Sequence, residues 1–262
     1  MLLSICIPTY NRLPYLRELL DMLLSQVECL QHGILEVIVS DNTSTDGTTD
    51  FCKGLNRPFL RVWVNEENIG GDRNFIKCIR EARGEYVWLI GDDDILADAA
   101  VERVVRFLQS FHPGLLISAD IEGSDGAIYD SYPSALAKMS DKFALAHTLI
   151  SANVFKRENF DMVFAELKLW TQYAHMFGMM QGLRDERIGI LPRFVRVRPV
   201  RPDFAKYPAC LCVKQAVYLW YLARKFGLRK FYWKAFINAC NLPIEYASRI
   251  KNWLKGVLIR RA

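Results

Sequence analysis

The stretch EYVWLIGDDDIL, Glu85–Leu96, decides how the chain is read. An apolar run closes on Gly91 and then on three consecutive aspartates, Asp92, Asp93 and Asp94. The unbroken apolarity of the run predicts a strand covered on both faces. Adjacent carboxylates repel one another, and burying one without a partner is costly. So much negative charge at the end of a core strand calls for a use.

Outward from this stretch the pattern repeats. LLSICI (2–7), LEVIVSDN (35–42) and LRVWVNEEN (60–68) read as three further strands. Between them, LPYLRELLDMLLSQV (13–27) sets Leu16, Leu19, Leu20, Leu23 and Leu24 on one helical face. Asp46-Gly47 marks a turn before a short helix. IGGDRNFIKCIREARG (69–84) opens on glycines and continues as a helix with Phe75, Ile76, Ile79 and Ala82 inward. A helix over 99–111, a strand over 114–120, a hairpin turn at 124–126, a helix around 161–180 and a strand over 188–198 follow. The chain from about 213 reads as helical.

Strand alternating with helix predicts an α/β fold with a mostly parallel sheet flanked by helices. Right-handed crossovers bring the strand C-termini to one edge, where ligands bind. Three polar clusters fall on that edge: PTYNR (8–12), SDNTSTDG (40–47) and GDDD (91–94).

Composition narrows the class. The chain has 262 residues, 51% of them apolar, enough for a substantial core. No apolar run reaches the roughly 18 residues of a membrane span. MLLSICIPTYNR lacks a basic leader region, so a first strand is expected there rather than a signal peptide. The seven cysteines are scattered, with no CxxC pair, and read as reduced thiols in a cytoplasmic protein.

The charge is uneven. Of 34 Lys and Arg and 29 Asp and Glu, residues 204–262 hold twelve and one. Residues 1–203 therefore hold 22 and 28. LPIEYASRIKNWLKGVLIRR (242–261) sets Ile244, Ala247, Ile250, Trp253, Leu254, Val257 and Leu258 on one face, with Arg249, Lys251, Lys255, Arg260 and Arg261 around it. A basic amphipathic helix with tryptophan suits an anionic membrane surface, and docking on the rest of the chain gives the same pattern. No nucleic-acid partner is expected, because the acidic crevice would repel one.

Three uses compete for Asp92, Asp93 and Asp94. They cap the next helix, for which one would suffice. They bind calcium, although the spaced ligands of a calcium loop are absent. Or they hold a divalent cation bridging a diphosphate, as Mg2+ and Mn2+ do with one or two carboxylates. The third use makes the crowded charge tolerable.

IPTYNR, VIVSDNTSTDGT, NIGGDRN and GEYVWLIGDDDIL, in this order and at these spacings, resemble the motifs of glycosyltransferase family 2, nucleotide-sugar-dependent enzymes with a GT-A fold. The resemblance covers roughly residues 2–120. The GDDD form, with glycine where many members have aspartate, is similar to the abequosyltransferase-like branch of bacterial surface-polysaccharide enzymes.

The resemblance implies a GT-A catalytic domain over 1–205, with 1–120 as its nucleotide-sugar half and 121–205 as its acceptor half. Residues 206–262 then form a basic helical tail. Pro8, Thr9 and Tyr10 line the base pocket, with Tyr10 on the pyrimidine and Arg12 beside them. Asp41 accepts from the base, Arg73 reaches the base or diphosphate, and Asp92 lies near the ribose. Asp93 and Asp94 hold Mn2+ or Mg2+. The implied donor is a nucleoside diphosphate sugar. The implied acceptor is a glycan or an undecaprenyl-diphosphate-linked sugar at the inner face of the cell membrane.

One part of the pattern is missing. Such enzymes usually place a Glu-Asp pair 70–95 residues past the metal motif as the general base. Here that window, DMVFAELKLWTQYAHMFGMM (161–180), offers Glu166 and His175, with Asp161 third. His175 has the pKa range of a base near neutral pH. Two rivals stay open: a nucleotidyltransferase that makes a nucleotide sugar, although IPTYNR lacks its glycine-rich basic loop, and a nucleotide-sugar-binding scaffold without a base.

Overall fold

Strand β1 (Leu3–Thr9) is buried along its whole length. It forms the spine of the molecule, a computed structural model that describes residues 1–119, 126–131, 134–135, 150–159, 183 and 186–196. β1 pairs in parallel with β2 (Leu35–Asp41) on one side and β4 (Tyr86–Leu89) on the other. β3 (Leu60–Val64) extends the sheet beyond β2. Pro8 is tolerated inside β1 because its missing N–H would face β4, whose ladder stops at the Cys6–Leu89 pair, while its β2 side keeps the Ser40 pairing.

Among the described residues the sheet has eight strands, in the order β3-β2-β1-β4-β8-β6-β9-β7. β6 (Leu115–Ser118) pairs in parallel with β9 (Ile188–Leu191). β8 (Asn153–Lys156) runs antiparallel between β4 and β6, and β7 (Ala127–Tyr129) runs antiparallel to β9. The mostly parallel α/β reading therefore holds, with two reversed strands. β5 (Ile95–Leu96) and β10 (Val195–Arg196) form a separate two-stranded ribbon.

Helix α1 (Leu13–Glu28) buries Leu16, Leu19, Leu20, Leu23 and Leu24, as its spacing requires. α2 (Thr48–Gly54), α3 (Gly71–Glu81) and α4 (Ala100–Phe111) follow β2, β3 and β5. On α3, Ile76 and Ile79 are buried while Phe75 is only half-buried, because Asn74 and Cys78 share the inward face. The core joins Leu3, Ile5 and Ile7 to the α1 leucines, and Trp88 to Phe194 at 5.2 Å edge to face. Cys6, Cys29, Cys52 and Cys78 are free thiols.

Three boundaries differ from the expectations. β3 stops at Val64, and Asn65 turns inward instead of continuing the strand. The strand expected over 188–198 breaks at Pro192 and Arg193, so its second part pairs with β5. Of the hairpin turn expected at 124–126 only Gly126 is described, and β7, which begins just after it, joins β9 rather than β6. The helix expected around 161–180 and the tail 206–262 lie outside the described residues. Among the described residues, no helix is long and apolar enough to cross a membrane.

Candidate active site

The register places Thr9 beside Asp41 and Asp41 beside Val64, which defines the C-terminal rim of the sheet. The ladder runs one step further: the Asn42 N–H donates to the Thr9 carbonyl at 2.9 Å, and the Asn65 N–H to the Asp41 carbonyl at 2.9 Å. All three polar clusters of the sequence meet at this rim.

The loop after β2 is built from its own polar side chains. Asp41 is fully buried. One of its oxygens accepts the Ser44 N–H at 3.0 Å and the Ser44 hydroxyl at 2.5 Å, and the other accepts the Thr49 hydroxyl. Asp46 accepts the Leu13 N–H at the start of α1 (2.9 Å) and the Thr48 N–H at the start of α2 (3.2 Å). Burial alone would raise the Asp46 carboxyl, but the donors from Thr48 and Leu13 outweigh it and hold it below its usual value. One aspartate thus supplies both helix starts with an acceptor.

A carboxamide network fixes the next loop. Asn65 Nδ2 donates to Asn42 Oδ1 (2.8 Å) and Asn74 Oδ1 (3.0 Å), and Lys77 Nζ donates to Asn65 Oδ1 (2.6 Å). Asn42 Nδ2 donates to Asn68 Oδ1 (2.6 Å), whose oxygen also accepts the Gly70 N–H at 3.0 Å. This sets the entry to α3, where Arg73 stands exposed on the first turn.

The aspartate triplet occupies the rim between β4 and β5. Thr9 Oγ1 donates to Asp92 Oδ2 at 2.7 Å. Arg12 spans two carboxylates, with Nη1 3.3 Å from Asp92 Oδ1 and Nη2 2.5 Å from Asp93 Oδ2. Asp94 turns inward, its Oδ2 accepting the Gly91 N–H at 2.9 Å and the Ser151 hydroxyl. Asp92 and Asp94 are 4% and 3% exposed, whereas the Asp93 side chain is 19% exposed. Burial pushes both Asp92 and Asp94 up to about 6, even though Arg12 and Thr9 pull Asp92 down and Ser151 pulls Asp94 down.

Among the described residues, no three His, Cys, Asp or Glu side chains converge as a metal-binding group. The donor set still fits Mg2+ or Mn2+, which need only one or two carboxylates beside phosphate oxygens. Asp93 offers a reachable carboxylate, and Asp94 a second one held in place beside it. Of the remaining expected residues, Pro8 is buried in β1 and Tyr10 stands 43% exposed at the rim. Glu166, His175 and Asp161 lie outside the described residues.

The profile described as "Glycosyl transferase family 2" matches residues 4–162. The chain belongs to glycosyl transferase family 2. Among curated relatives of this family member, abequosyltransferase RfbV of Salmonella typhimurium is 31% identical over 204 residues, 69% of this chain and 60% of RfbV. The poly(ribitol-phosphate) beta-N-acetylglucosaminyltransferase TarS of Staphylococcus aureus is 27% identical over 202 residues, 73% of this chain and 34% of TarS. The chain thus spans less than two thirds of the length of either relative.

Solved structures agree on the fold. Residues 1–349 of S. aureus TarS in complex with UDP-GlcNAc superpose with a TM-score of 0.69 at 19% identity, covering 90% of this chain and 73% of that one. The mannosyltransferase PcManGT from Pyrobaculum calidifontis, in complex with GDP-Man and Mn2+, gives 0.59 at 17% identity, covering 99% of this chain and 75% of that one. The expected α/β architecture of the family is therefore present.

Two features of the rim escaped the sequence. Ser151 lies 57 residues from Asp94 in the chain, and nothing local marks it. The hold of Arg12 on Asp92 and Asp93 spans about 80 residues and is equally invisible to spacing. Part of the acidic charge is thus balanced by the protein itself.

Proposed function

We propose that the chain is an inverting, metal-dependent glycosyltransferase. It moves a sugar from a nucleoside diphosphate sugar to a hydroxyl of a lipid-linked bacterial surface glycan. The observation that carries this reading is the convergence of Thr9, Arg12 and the three aspartates on the C-terminal rim of the sheet. The names of the relatives, which describe transfer of abequose and of N-acetylglucosamine, support the reaction class.

Each residue then has a task. Tyr10, exposed at the rim, packs on the nucleobase, with Pro8 and Thr9 forming the floor. Asp41, which also holds its own loop through Ser44 and Thr49, accepts from the base, and Arg73 reaches the base or diphosphate. Asp92, steadied by Thr9 and Arg12, lies at the ribose. Asp93 and Asp94 hold Mn2+ or Mg2+. When bound, the cation supplies positive charge against the departing diphosphate. The Gly91 N–H and Ser151 keep the Asp94 carboxylate aimed before substrate arrives. His175 or Glu166 takes the proton from the acceptor hydroxyl as it attacks.

Residues 1–205 form the catalytic domain in this reading. The basic tail, 206–262, brings it to the inner face of the membrane, where cations attract anionic headgroups. A panel of UDP-, GDP-, CDP- and dTDP-sugars with Mn2+ tests the proposal. One donor should release its nucleoside diphosphate slowly, and Asp94→Ala should stop the release. Release of pyrophosphate from a nucleoside triphosphate and a sugar phosphate would overturn it.

A further inference from the structure

We propose that Arg12 is a resident counter-ion of the acidic cluster, one that releases Asp93 as a divalent cation and a diphosphate bind together. This rests on the donor-binding reading above and adds a coupling element to it.

The geometry separates a fixed backbone anchor from a head held by its ion pairs with Asp92 and Asp93 and by the Tyr15 ring. The Arg12 carbonyl accepts the Tyr15 and Leu16 N–H groups, both at 3.1 Å, so its backbone is pinned to the start of α1. Asn11 beside it is held by the loop after β2: its N–H donates to Ser44 Oγ (2.8 Å), and its Oδ1 accepts the Thr45 N–H (2.7 Å). The guanidinium lies 5.2 Å from the centre of the Tyr15 ring, with 35% of the side chain exposed. About a third of the side chain is thus open to solvent, and rotation about its bonds moves the guanidinium while the backbone stays pinned to α1.

Its present position competes with a metal. Arg12 Nη2 sits 2.5 Å from Asp93 Oδ2, on the most exposed carboxylate of the three. A dication approaching that oxygen meets a positive group already in contact with it. Asp94 is held instead by Ser151 and the Gly91 N–H. Three carboxylates against one guanidinium leave a net charge of about −2, which one dication cancels. A diphosphate brings fresh negative charge, and a planar guanidinium released from Asp93 matches its oxygens. Metal and diphosphate then each favour the arrangement the other needs, so their affinities are positively coupled through Arg12.

The test uses the full chain. Mn2+ is titrated into wild type, Arg12→Gln and Arg12→Lys, and free Mn2+ is read by its paramagnetic resonance signal. Each titration is repeated with UDP, GDP, CDP or dTDP. Removing the competing cation should tighten Mn2+ alone by about tenfold in Arg12→Gln. The extra tightening given by the diphosphate should shrink by a similar factor. Arg12→Lys, which keeps a charge, should stay near wild type. Equal affinity of wild type and Arg12→Gln for Mn2+ alone overturns the proposal, as does Arg12→Lys behaving like Arg12→Gln. Wild type supplies a check that needs no variant: independent binding of Mn2+ and diphosphate also overturns it, while leaving the donor reading intact. Failure of all three proteins to bind Mn2+ with any nucleotide would remove the donor reading itself and this inference with it.

Discussion

Thr9 Oγ1 and Asp92 Oδ2 are 2.7 Å apart, joining the end of β1 to the turn after β4 across 83 residues of chain. The hydroxyl offsets part of the cost of burying Asp92 at the rim. Thr9→Val keeps the shape of the side chain and removes the donor. The urea midpoint should fall by the equivalent of about 1–2 kcal/mol, and nucleotide affinity should weaken with it. Unchanged stability and affinity would mean that the hydroxyl is incidental.

Asp94 is positioned from two sides, by the Gly91 N–H and by Ser151. A Cβ on Gly91 would stand 2.9 Å from Asp94 Oδ2 and 3.2 Å from Asp93 Oδ1. Gly91→Ala should therefore push on the two proposed metal ligands, and Ser151→Ala should loosen one of them. Each should lower Mn2+-dependent nucleotide affinity by about tenfold while the far-ultraviolet circular dichroism stays as in wild type. Full retention of the Mn2+ dependence in both variants would contradict these roles.

At the opposite end of β2, Glu36 is buried and accepts from Ser4 Oγ (2.7 Å), the Arg83 N–H (2.7 Å) and Arg61 Nη1 (2.6 Å). Burial alone would raise its carboxyl, but these three donors outweigh it and hold it below the usual value. A carboxylate lowered in the folded state stabilises the protein above its unfolded pKa, and the benefit is lost as pH falls through the folded value. Glu36→Gln should cost about 3 kcal/mol at pH 7 and leave Arg61 without its buried partner. The gap to wild type in denaturant midpoint should close as pH falls below about 4.5. A gap that stays constant down to pH 3 would show that the charge contributes nothing.

Replacing Arg249, Lys251, Lys255, Arg260 and Arg261 with glutamate reverses the charged face of 242–261. Flotation with vesicles containing anionic lipid should fall severalfold relative to wild type, and neutral vesicles should recover little of either protein. Equal recovery of both proteins on anionic vesicles would remove the membrane role.

What the sequence made legible follows from where its signals are local. β4 is wholly apolar, β1 and β2 are short runs built round apolar β-formers, and α1 repeats leucine at helical spacing, so each announces itself within ten or fifteen residues. β8 does not. Asn-Val-Phe-Lys is too short to carry a pattern, and it becomes a strand only by slotting between β4 and β6. The β5–β10 ribbon is two residues long on each side and exists through tertiary pairing. The same holds at the rim. The aspartate triplet was visible because it is contiguous. The Arg12 clamp, the Ser151 contact and the inward turn of Asn65 depend on residues brought together by the sheet.

The central claim is that the acidic rim seats a cation that grips a donor's diphosphate. Calorimetric titration of the protein with UDP, GDP, CDP and dTDP, with and without Mn2+, addresses it most directly. The account predicts that Mn2+ tightens one of the four by about tenfold or more, and that Asp93→Asn/Asp94→Asn abolishes the gain while the protein stays folded. Identical affinities with and without Mn2+ for all four, matched by the double variant, would contradict it.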